Sequence, residues 1–214
     1  MEFLLGKILM LPAILIGFTF HEYAHAKMAD RLGDKTPRFQ GRLTLNPIAH
    51  LDPIGTLCIL FFGIGWAKPV QVNPSAFKNY YKDDLKVSLA GPIANLIVAF
   101  FGMVLYTLIF ILGTSGVLEG TLFSVLFSMA SQIVGINVIL FVFNLLPLPG
   151  LDGFSILRDI SPKHFYKISD SIYRYQFVIF LAVIFLAGPI IKIPANLIMN
   201  LLSSIVGSIF GLFF

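Results

Sequence analysis

Long apolar stretches broken by short polar ones set the pattern of this chain. Apolar residues dominate 3–26, 87–113, 121–148, 175–191 and 193–214. Each run is close to or above the roughly 20 residues that a helix needs to cross about 30 Å of hydrocarbon. The pattern predicts an all-α polytopic membrane protein with roughly four to six transmembrane helices. The last two runs are parted only by the Gly- and Pro-containing stretch 188–194, so they predict either two spans or one broken hairpin.

Between the first two runs the pattern changes. Residues 49–66, HLDPIGTLCILFFGIGWA, are apolar but short, and Pro53, Gly55, Gly63 and Gly65 interrupt them. They predict a re-entrant or interfacial element, a backbone tolerated at membrane depth only where protein or a water-filled cavity covers it. The preceding PRFQGRLTLN, 37–46, alternates weakly and predicts a short surface hairpin, so 37–66 reads as one re-entrant/hairpin element. No polar interval has room for a separate soluble domain of roughly 50 residues or more. Residues 1–214 therefore read as a single domain, with its core at about 3–155 and a C-terminal helical hairpin at about 175–214. The first run lacks a small-residue cleavage site, and its polar end reads as part of the retained protein.

Composition agrees with a membrane as solvent. Hydrophobic residues make up 57% and charged residues 12%, too few charges to cover a water-facing surface. The net charge of +4 does not point to nucleic acid, because thirteen of the fifteen Lys and Arg residues fall in three clusters: 27–42, 68–86 and 158–174. Basic clusters beside spans mark the cytoplasmic side. That choice puts the turn 113–120, with Glu119 its only charge, on the far side. Cys58 is the single cysteine, which excludes internal disulfides and cysteine-only metal sites.

Ionisable groups placed among apolar residues carry the functional signal. His21-Glu22-Tyr23-Ala24-His25 closes the first run. Such groups are costly within a span and usually functional. On a helix, positions i and i+4 share a face, so His21 and His25 can hold one ion together, and neutral imidazole suits zinc. Glu22 is suited to take a proton from water and later give it to a leaving amine. The plain alternative is a frayed helix end with solvated histidines, which nearby Lys27 would favour.

A catalytic zinc site needs a third protein ligand. Asp30 shares the helix of the histidines. Asp83, Asp84, Asp159 and Asp170 fall in basic surface clusters, Glu119 is across the membrane, and His164 falls in a polar loop. His50, Asp52 and Asp152 remain. Asp152 is favoured, because Pro147, Pro149 and Gly150 in NLLPLPGLDG, 144–153, should break a helix at the depth where the first helix ends. Its plain alternative is an N-cap for the helix that follows. His50 and Asp52, in NPIAHLDPIG, either line the site, contact substrate or cap a turn.

HEYAH at 21–25, GPIAN at 91–95 and NLLPLPGLDG at 144–153 occur in one order with NPIAHLDPIG and WAKPVQVNP. This set resembles the site-2 protease family of intramembrane zinc metalloproteases. The resemblance implies one zinc per chain, held by His21, His25 and Asp152, with Glu22 as general acid/base. It also implies that Asn144 helps hold the substrate carbonyl or developing oxyanion, work for which an amide donor in a water-poor site is suited. An interhelical hydrogen bond is the alternative for Asn144. In GPIAN, Gly91 and Ala94 read as small residues at a helix contact, Pro92 as a first-turn residue opening the central helix, and Asn95 as either orienting a neighbour or lining the site. With no PDZ insertion or nucleotide-sensing module in the sequence, the resemblance is to a compact, core-only member.

The implied reaction is peptide hydrolysis inside a transmembrane segment, the partners being the bilayer and a transmembrane substrate, expected to be single-pass. A regulatory membrane partner is compatible with this, and the oligomeric state is left open. Multiple spans with a cytoplasmic site fit a prokaryotic plasma membrane, and organelle membranes also fit. Two other classes compete: a non-proteolytic membrane zinc protein and a small transporter. Convergence of the polar groups at one depth speaks against the transporter.

Overall fold

A computed structural model describes residues 2–62, 65–186 and 188–211. The apolar runs fall in long helices: α1 (Glu2–Leu32) and α4 (Tyr80–Thr114) extend past theirs at both ends, α5 (Gly120–Asn144) stops four residues short of 148, and α8 (Gly188–Gly211) begins before 193. Between them lie α2 (Thr36–Phe39), α3 (Pro53–Phe62), α6 (Asp152–Ile160) and α7 (Pro162–Leu186). Helices satisfy every backbone group within one segment, which a bilayer demands. Four of them, α1, α4, α5 and α8, are long and apolar enough to cross a membrane. The chain is an all-α polytopic membrane protein.

Three expectations change. The run 175–191 does not start a helix of its own. It falls largely in α7, whose first half carries Lys163, Lys167 and Arg174, and α7 is not among the four candidate spans. The hairpin at 37–46 does not form, and no strand occurs among the described residues. Pro37 and Pro47 instead enter the first turns of α2 and of a 3₁₀ turn, Pro47–Ala49, which Asn46 caps by accepting from the Ile48 N–H. Prolines that start helical turns outweigh a weak alternation. Nor does GPIAN open the central helix: α4 begins at Tyr80, and Pro92 lies inside it.

Residues 51–67 do fold back on themselves. Leu51 and Ala67 form an antiparallel bridge, and the Lys68 N–H donates to the His50 carbonyl at 2.9 Å. The turns pass so closely that a Cβ on Gly55 would collide with the Trp66 backbone. The two ends of the segment are thereby held side by side. Gly63 lies outside the described residues.

The core is a seam made mostly of alanine and valine side chains. Ala99 and Met103 of α4, Val134 and Val138 of α5, and Leu202 and Val206 of α8 are buried together. α1 packs against both α4 and α5. Close helix packing of this kind holds membrane bundles together without a hydrophobic drive between helices. It fixes the relative positions of α1, α4 and α5, on which the polar site is built.

Candidate metal centre

His21 and His25 lie one turn apart on α1, with ring centroids 4.6 Å apart and the rings edge to face. Their Nε2 atoms approach to 3.0 Å. Asp152 faces both, with carboxylate oxygens 3.2 Å from His21 Nε2 and 3.3 Å from His25 Nε2. One ligand atom from each residue falls within 4.8 Å of the others, a cluster that could hold a metal ion. Asp152 Oδ2 is buried without a hydrogen-bond donor.

The tautomers follow from the other ring nitrogens. His25 Nδ1 donates to the Val87 carbonyl at 2.7 Å. His21 Nδ1 donates to Asn95 Oδ1 at 2.6 Å, because the Asn95 amide nitrogen is already donating to the Gly17 carbonyl and to Asn137 Oδ1. Both Nε2 atoms are thereby left as acceptors aimed at one point, beside an anionic acceptor. Three acceptors converging in a buried place fit a cation, and two imidazoles with a carboxylate suit zinc. Asn95 and Asn137 are fully buried. Of the two roles expected for Asn95, the contacts are those of an orienting residue. Asn137 was not singled out from the sequence, since a lone asparagine in an apolar helix has no local signal.

The backbone of α4 makes room for the rings. A Cβ on Gly91 would overlap His25 Nε2 and stand 2.7 Å from His21 Nε2. Pro92 has no N–H to give to the carbonyl one turn back, and the ladder is interrupted beside Val87, the acceptor for His25. The small residue is thus needed where the two rings lie against α4.

Asp152 arrives from the opposite side. After α5 ends at Asn144, two prolines and Gly150 at φ +88° reverse the chain into α6. Asp152 is the first residue of α6, but Leu151 holds the N-cap position and no side chain caps it. The carboxylate turns to the histidines instead, against the capping alternative. Further along α6, Arg158 pairs with Asp84 of α4 and, at 2.8 Å, with Asp159. Asp84 and Asp159 are buried, which corrects their placement in solvated surface clusters, as does burial of Asp83. Burial works against charge on Arg158, yet its two carboxylates hold the guanidinium firmly protonated. This ion triad ties α6 to α4 near the metal centre.

Glu22 is buried beside the histidines, and its Oε2 accepts from the Val70 N–H at 2.8 Å. Arg42, expected among surface cations, is buried with its Nη2 3.8 Å from the same oxygen, and it also donates to the Lys68 carbonyl. The stretch WAKPVQVNP is therefore stitched to both residues. His50 is fully buried and bonds the Thr44 carbonyl through Nε2 at 2.7 Å, while its Nδ1 has no partner. Burial, helped by Arg42, pushes the His50 imidazole below its ordinary pKa. Asp52 accepts from the Gly55 N–H at 2.7 Å, so it caps α3. Neither His50 nor Asp52 joins the metal cluster. Asn144 donates to Leu140 of its own helix at 3.0 Å. Asp34, not weighed from the sequence, is a buried tie between the Thr36 and Asn73 N–H groups.

Curated proteins similar to this chain carry one kind of name. "Putative zinc metalloprotease YwhC" of Bacillus subtilis is 40% identical over 199 residues, covering 90% of each chain. "Putative zinc metalloprotease Rip2" of Mycolicibacterium smegmatis is 32% identical over 156 residues, 71% of this chain and 56% of that protein. "Putative zinc metalloprotease MJ0611" of Methanocaldococcus jannaschii is 30% identical over 71% of this chain and 70% of its own. No family model matches the chain, and no solved structure matches it.

Proposed function

The chain belongs to the site-2 protease family, and from that premise we propose a zinc metalloprotease that hydrolyses peptide bonds inside transmembrane segments of membrane proteins. The observation that carries this reading is the convergence of His21 Nε2, His25 Nε2 and the Asp152 carboxylate, with both Nδ1 protons turned away. These three residues would hold one zinc. When bound, zinc supplies Lewis acidity towards water and a peptide carbonyl.

The chain's own groups supply the rest. Glu22 takes a proton from the attacking water on its carboxylate and delivers it to the departing nitrogen. The Val70 N–H and Arg42 keep that carboxylate oriented between turnovers. Asn144 turns its amide from Leu140 to the substrate carbonyl, where a donor stabilises growing negative charge. The folded-back segment 51–67 offers backbone to a locally unwound substrate, as strand addition does elsewhere. The basic clusters argue for a cytoplasmic position of the site.

Zinc per chain in detergent-purified protein, with cleavage of a single-pass substrate measured beside it, tests the reading. Wild type and Glu22→Gln should each hold about one zinc, and Asp152→Ala much less. Glu22→Gln should lose turnover by about 10²-fold or more. Undiminished cleavage by Glu22→Gln would refute its proton-transfer role. Wild type without zinc would refute the metalloprotease.

A further inference from the structure

One groove is left unused by this chemistry. It runs between α1 and α4 and encloses about 480 Å³, and none of the metal-cluster residues lines it. Its floor is small and apolar: Ala24 on α1, with Ala90 and Ala94 on α4. One end is bounded by Phe20 and Ile97, and the other by Lys27, Arg31 and Lys86. From residue 20 to residue 31, α1 rises about 16 Å. That is about half of a 30 Å hydrocarbon core, the depth of one leaflet. Lys86 pairs with Asp83 at 2.7 Å, whereas Lys27 and Arg31 have no acidic partner among the described residues.

We infer that this groove binds one anionic phospholipid, its phosphate among Lys27, Arg31 and Lys86 and an acyl chain over the alanine floor. Charge selects this occupant. With the basic end cytoplasmic, as proposed above, a substrate helix in the groove would bring its own Lys/Arg flank against three cations. A lipid phosphate meets them with opposite charge, and a guanidinium can bind it through two parallel hydrogen bonds. The apolar trough leading away from the cations suits a chain of one leaflet's length. The occupant would brace α1 against α4, the pair of helices joined at His25 and Val87. The inference does not depend on proteolysis.

Native mass spectrometry of the full chain, released from micelles doped with equal phosphatidylglycerol and phosphatidylcholine, tests it. Wild type should retain phosphatidylglycerol in clear excess. Lys27→Gln with Arg31→Gln should lower the ratio by about fivefold for each cation removed, with phosphatidylcholine retention unchanged. Lys163→Gln with Lys167→Gln, exposed cations on α7, should leave the ratio as in wild type. No excess in wild type, an unchanged ratio in the first variant, an equal fall in the α7 control, or loss of both lipids alike would each overturn the site.

Discussion

At the scale of single residues, Gly91 and Asn95 govern the histidines without belonging to the acceptor cluster. A methyl group at 91 would enter the space of both rings. Gly91→Ala should therefore fold as a helical bundle yet purify with little zinc, read by metal analysis beside circular dichroism. Asn95→Ala removes the acceptor for His21 Nδ1 and frees the ring to change tautomer. Loss of such a partner typically costs 10–100-fold in metal affinity, measurable by chelator competition. HEYAH was legible because helical spacing alone puts two imidazoles on one face. Asp152 was legible because few acidic residues compete in so apolar a chain. Asn137 and Arg42 were not, since their contacts join residues distant in sequence: Asn137 to Asn95, Arg42 to Glu22. A basic residue in a basic cluster looks solvated until the loop closes over it.

At the scale of elements, the short helix α6 matters beyond its length. Its first residue supplies a carboxylate, and its far end is pinned to α4 by Arg158. Arg158→Gln would leave Asp84 and Asp159 buried without their cation. Removing one partner of a buried ion group typically costs about 3–5 kcal/mol. Thermal unfolding should show the loss, and zinc affinity should fall with it, since α6 would no longer hold Asp152 against the rings. Adding Asp84→Asn should restore part of the stability, because one uncompensated charge is then gone. The helices themselves were read from their apolar runs. The short connections were not: proline placement decided 37–49, and the polar half of α7 could not be joined to its apolar half by hydropathy alone. The break after α5 was legible, because Pro147 and Pro149 leave a helix little choice.

For the whole molecule, the four long apolar helices and the basic clusters give a topology that labelling can check. In a Cys58→Ser background, cysteines placed at Lys78 and Lys163 should react with a membrane-impermeant maleimide from the same side. A cysteine at Glu119 should react from the other. Reaction of all three from one side would discard the proposed orientation.

The distribution of the cluster along the chain has a consequence in time. Two acceptors and Glu22 are made early, within α1, whereas Asp152 follows His25 by more than half the chain. At about 5–20 residues per second, roughly 10 s of synthesis separate them. Through that interval a membrane-inserted α1 sits close to other nascent proteins with an incomplete ligand set. Under the proposed ligand assignment, cutting cannot begin until α6 has been made and has docked on α4. On that proposed assignment the late carboxylate would serve as a safety catch during biogenesis, holding the half-built chain inactive until α6 is in place.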